Sequence, residues 1–239
     1  MRNELTRLKK SSSSAFLLIG WLVAIFSAMP VYAQSGNSAC GSLKNGYGPY
    51  DYRTDRDKLP VVEGAHFTEP IEALIRGSQS NHPGGDIDYT LRAIPNNHRA
   101  LIAMVRLGER EKTPKPRNSS HSIECWFERA ILFSPDDGIV RMIYSSYLNS
   151  QGRVPDATRQ LEIATNYAKD SAFTHYNIGL HYFDMKNYDK ALVQAHRAIE
   201  LGLPQTVLRD KLKSVGKWAE PANVPTTPAT GIAPAEEPK

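Results

Sequence analysis

Apolar residues recur at helical spacing over most of the chain, interrupted at short intervals by polar, Gly and Pro signals. The pattern predicts helices near 68–77, 86–94, 97–110, 119–133, 138–150, 155–168, 172–185, 188–201 and 205–217. Lys186-Asn187 and Gln151-Gly152 supply turns inside helix pairs. Ser134-Pro135-Asp136-Asp137 and Lys169-Asp170-Ser171 supply turns between pairs, with side chains suited to N-capping. Pro70 and Pro155 fit first helical turns, Thr68 a cap, and Gly77 a stop. The expected fold class is all-α: about four hairpins and a closing helix.

The C-terminal half also repeats. Ala130, Ala164 and Ala198 are evenly spaced, and the same interval separates Ala157 from Ala191, Ser145 from Gly179, and Leu148 from Tyr182. Small residues at Gly179, Ala191 and Ala198 let antiparallel helices approach closely, and Tyr182, Leu192 and Ile199 fill around those contacts. The segment HYNIGLHYFDMKNYDKALVQAHRAIELGLP resembles the tetratricopeptide repeat (TPR) family of helix–turn–helix units, whose period of about 34 residues equals that interval. The likeness is strong over 172–205, good over 138–171, and degenerate within 67–137, where CWFERAILFSPDD carries it. It implies a short right-handed solenoid, closed by a polar cap helix over 206–218. It also implies a concave groove, lined by the first helix of each pair, that holds an extended peptide or a partner helix. By position, that groove would present Ile139, Met142, Ile143, Ser146 and Asn149 from one repeat and Phe173, Tyr176, Asn177, Leu180 and Phe183 from the next. Lys211 approximates one position of the carboxylate clamps found in some TPR domains, but Val207 occupies another, so no clamp is expected.

Three segments stand outside the repeats. Residues 34–66 form an irregular extension that could cover the first hairpin or fill the groove. The loop EKTPKPRNSS interrupts the pattern, and residues 219–239, with five prolines, are expected to be disordered. The N-terminus reads as an address. Residues 1–10 are basic, an apolar stretch runs from Ala15 to Met29, and Val31-Tyr32-Ala33 gives a small-x-small pattern. This predicts a signal peptide cleaved after Ala33 and a periplasmic or secreted protein; the alternative is an uncleaved anchor. The apolar run falls short of the roughly 20 residues that span a bilayer comfortably.

Charge and cysteine count narrow the choice. Arg2, Arg7, Lys9 and Lys10 against Glu4 supply +3 of the formal +4, leaving 25 basic and 24 acidic residues in the remainder. That balance lacks the cationic field that nucleic-acid binding needs. Cys40 and Cys125, the only two cysteines, are expected to pair in an oxidising compartment; the alternative is a buried free thiol and a mobile one. None of the seven histidines falls into HxxxH or HExxH spacing, so no metal or cofactor is expected, and no GxSxG or P-loop occurs. The leading expectation is a non-catalytic adaptor of the bacterial cell envelope that binds a protein or peptide. The alternative is an enzyme or polymer binder built from Tyr50, Asp51, Tyr52, Arg53, His66, Asp86, Asp88 and His98. Self-association through an incompletely capped end is a third reading.

Overall fold

The computed structural model describes residues 40–78, 81–203 and 207–221. The expected signal peptide and nearly all of the expected disordered tail lie outside them. Among the described residues there are ten helices and no strand: α1 (Leu59–His66), α2 (Glu69–Glu72), α3 (Gly84–Ala93), α4 (His98–Glu111), α5 (Ile123–Phe133), α6 (Gly138–Ser150), α7 (Val154–Ala168), α8 (Ala172–Asp184), α9 (Tyr188–Glu200) and α10 (Val207–Ser214). The protein is all-α in this region. No helix among the described residues is long and apolar enough to cross a membrane.

Local chemistry explains most helix starts. Side chains of Asn97, Ser122, Asp137, Ser171 and Asn187 accept backbone N–H groups at the starts of α4, α5, α6, α8 and α9. Each satisfies donors that the first turn leaves orphaned. Thr68 precedes α2 but makes no such bond. Helix α1 departs from expectation, since the sequence predicts an irregular extension through residue 66. Pro60 in its first turn starts it, and Leu59 and Val62 bury one face.

Helices α6 and α7 form one tight pair, and α8 and α9 form another. The step from the start of α6 to that of α8 equals the step from α7 to α9, and both equal the repeat interval of the sequence. Helix α4 begins further ahead of α6 than that interval, because the loop to α5 is longer. Inside the pairs the chain reverses through a left-handed residue, Gly152 (φ 75°) in one and Lys186 (φ 60°) in the other. Gly179 marks a close crossing: a Cβ there would lie 3.2 Å from Gln194 Cβ and 2.5 Å from Leu208 Cδ2.

Two main cores result. The first joins α2–α6 around Trp126, Phe127, Leu101 and Met104, and the second joins α6–α10 around Tyr182, Leu161, Ile178 and Leu212. Burying each of these large side chains contributes about 1.5–3 kcal/mol. A smaller cluster sets Leu59, Val62 and Ile94 against Tyr47, Tyr50 and Tyr52 of the extension.

Cys40 and Cys125 form a disulfide that ties the extension to α5. Beside it, the buried Arg129 donates from Nη1 to the carbonyls of Cys40 (3.0 Å) and Ser42 (2.8 Å). Further on, Tyr50 N donates to Ala93 O, and Arg53 reaches the turn between α5 and α6. The extension therefore lies on α3, α5 and that turn. Among the described residues, none of its hydrogen bonds goes to the expected groove side chains of α6 or α8.

Candidate functional site

Helices α4, α6, α8 and α10 pack one against the next as one layer; α7 and α9 pair with α6 and α8 outside that series. The first layer carries the residues expected to line a groove. Ile139 is 46% exposed and Phe173 65%. Each sits in the first turn of its helix, one repeat interval from the other. Ser146 is also exposed, and its Oγ lies 3.0 Å from His181 Nδ1. Ile143, Asn149, Tyr176, Asn177, Leu180 and Phe183 are half-buried. Tyr176, Leu180 and Phe183 lean on the second core, and Asn177 Nδ2 donates to the carbonyl of Phe173. Met142 differs from expectation. It is buried in the second core, because its position on α6 faces the neighbouring pair rather than solvent.

The surface extends further than the two strong repeats suggested. Ile102, Val105, Arg106 and Glu109 of α4 join Ile143, Ser146, Tyr147 and Ser150 of α6 around a depression of about 170 Å3. At the other end Val207 is 49% exposed and lies a further repeat interval beyond Phe173. Ile139, Phe173 and Val207 thus occupy one register on the alternate helices α6, α8 and α10. Projecting the repeat period forward to α10 was the available signal for Val207. The longer loop before α5 hid the contribution of α4. Lys211 Nζ lies 5.0 Å above the Phe183 ring, a cation–π contact.

Side chains of α7, α8 and α9 line a second depression, of about 300 Å3, among them Glu162, Thr165, Asn166, Tyr182, Lys190 and Val193. The Lys190–Glu162 ion pair (2.5 Å) is part of its wall. Burial pushes the Tyr182 phenol up to about 12.

The polar residues of the alternative reading divide among separate networks. The largest joins Asp51, Arg53, Asn96, His98, Ser134, Asp136 and Asp137. Arg53 Nη2 donates to Asp51 Oδ2 (2.9 Å), Asp136 Oδ1 (3.0 Å) and Ser134 Oγ (2.6 Å). Asn96 Nδ2 bridges Asp51 and Asp137 at 2.9 Å each. His98 Nε2 lies 2.9 Å from Asp137 Oδ2, while the Tyr52 ring meets the His98 ring edge-on. Burial opposes ionisation of Asp137, but the bonds from His98, Asn96 and the α6 backbone hold its carboxyl below the ordinary value. Asp51 behaves alike: burial raises it, and bonds from Arg53 and Asn96 more than reverse that. Elsewhere His66 Nδ1 lies 2.9 Å from Asp86 Oδ1, with its ring against Tyr89. Asp88 accepts from Ser120 N and Arg92 Nε. These groups join the extension and early helices to one another. They do not converge on one cavity.

No histidine enters a cluster of metal donors among the described residues; the one such group is Cys40, Cys125 and Glu128. No protein-family model matches the chain, and no curated protein matches it.

Proposed function

We propose that the protein is a non-catalytic adaptor that works outside the cytoplasm, in the bacterial cell envelope. In this reading α4–α10 form a short TPR solenoid, and the layer of α4, α6, α8 and α10 is its concave, protein- or peptide-binding side. The observation that carries the reading is the register of Ile139, Phe173 and Val207, exposed apolar side chains that recur at the repeat interval on neighbouring helices. Adjacent packed helices stand about 8–10 Å apart. Three such side chains therefore form a ladder that matches a segment with apolar groups at similar intervals. The disulfide supports the address.

The test places a photo-crosslinking residue at Phe173 in intact cells, with Val193 on α9 as control. Val193 is comparably exposed (61%) but sits outside that layer. A partner captured from Phe173, absent from Val193, and lost in Ile139→Ser/Phe173→Ser supports the adaptor. Equal capture from both positions, or none from either, refutes it.

A further inference from the structure

We propose that reduction of the Cys40–Cys125 bond converts this staple into a site for a divalent metal ion of the zinc class. The two thiolates and the Glu128 carboxylate would be its ligands. The three donor atoms already lie within 4.8 Å of one another. Cys125 and Glu128 stand at i and i+3 on α5, so they share one helix face. Cys40 is held against them by Arg129, which bonds the Cys40 and Ser42 carbonyls. That grip does not involve sulfur, so it does not itself depend on the disulfide bond.

Two observations point to a ligand. Glu128 Oε2 lies 2.9 Å from Cys40 Sγ, which carries no hydrogen while it is oxidised. Glu128 is exposed and makes no ion pair among the described residues, so its carboxylate is open to a cation on the side that faces the sulfur. A cation between them would turn that contact into coordination. Charge agrees. Two thiolates, one carboxylate and a divalent cation carry a net charge of −1. The neighbouring Arg129 guanidinium is buried, leaves its Nε without a partner, and bonds carbonyls rather than a carboxylate in this structure. An anionic centre beside it would give that buried guanidinium a counter-charge. Thiolate ligands with one carboxylate suit zinc, and the exposed Glu128 side leaves the fourth position to water.

The chemistry balances with a dithiol reductant. The dithiol gives two electrons and two protons, the protein disulfide becomes two thiols, and the reductant becomes a disulfide. The metal then displaces both thiol protons to solvent. The metal would hold residues 40–58 on α5 whenever the covalent link is open, before oxidation or after reductive attack.

The test titrates Co2+ into purified protein, oxidised or reduced with a non-chelating phosphine, and then adds Zn2+. The reduced protein should take up one Co2+ per chain with a thiolate-to-cobalt charge-transfer band. Zn2+ should bleach that band, and the oxidised protein should show none. Glu128→Gln should weaken binding about tenfold or more and change the visible cobalt spectrum. No band in the reduced protein, or an identical spectrum and affinity in Glu128→Gln, overturns the proposal. Circular dichroism covers loss of structure on reduction: refolding on Zn2+ supports the site, and a reduced chain that stays unfolded with Zn2+ refutes it.

Discussion

Asp137 gives the sharpest test of how the extension and helical layers are held together. Its side chain is 1% exposed and serves two tasks. Oδ1 caps α6 by accepting from Ile139 N (3.1 Å) and Val140 N (3.2 Å). The carboxylate also accepts from Asn96 Nδ2 and His98 Nε2, and Arg53 Nε lies 3.5 Å away. Asp137→Asn keeps an oxygen for the cap but points an amide at groups that already donate. Breaking one side of a buried ionic network costs about 3–5 kcal/mol. Retaining the cap reduces that by about 1 kcal/mol, so Asp137→Asn should cost ~2–4 kcal/mol and Asp137→Ala about 1 kcal/mol more. The sign of the pH dependence is fixed by the lowered folded-state value. Such a carboxyl contributes stability that is complete above its unfolded value of about 3.9 and is lost as pH falls through the folded value. The gap between wild type and Asp137→Asn should therefore be full at pH 7 and shrink as the pH falls below about 4. Urea unfolding at a series of pH values measures both effects. A gap under about 0.5 kcal/mol at pH 7, or one that widens in acid, would refute the reasoning.

Gly179→Ala should destabilise by about 1–3 kcal/mol in thermal melts despite the better helix propensity of Ala, because the new Cβ meets Gln194 Cβ at 3.2 Å on a rigid helix and crowds the buried Leu208. Lys186→Gly should stabilise by a few tenths to about 1 kcal/mol, since the exposed Lys186 holds φ 60° at the turn where the equivalent residue is Gly152; an unchanged melting temperature would show no strain there. Without metal, reducing the disulfide should cost roughly 4 kcal/mol in urea unfolding, as expected for a link across 85 residues, and Cys125→Ser should match it. Phe173→Ser should change stability by less than about 0.5 kcal/mol, because the side chain is 65% exposed; a larger loss would mean that Phe173 is packed in solution.

Much of the helical order was legible in the sequence because its signals are local. The capping residues Asp137 and Ser171 act on backbone within one turn, the spacing of Ala157 and Ala191 shows directly as a repeat, and α6–α9 begin within a residue of where those signals place them. Helix α1 escaped because only two of its side chains are buried, too few to establish a period in a segment rich in Tyr, Gly and Pro. The cysteine count pointed to the pairing of Cys40 with Cys125, but not to Arg129 beside it. An arginine within the apolar run of α5 reads as a solvent-facing residue until the extension covers it.

The sequence by itself determined the all-α class, the repeat period and the register that puts Ile139 and Phe173 at matching positions. Helix propensity, capping and periodicity are properties of short stretches of chain. Only the tertiary structure decided which side of the helical layers the extension covers, that Met142 is buried while Phe173 is not, and that Asp51, Asn96, His98 and Asp137 share one network. Those outcomes depend on contacts between residues far apart in sequence, such as Asn96 with Asp137 and Arg129 with Cys40. Such contacts follow from how the helices pack against one another, which no local spacing encodes.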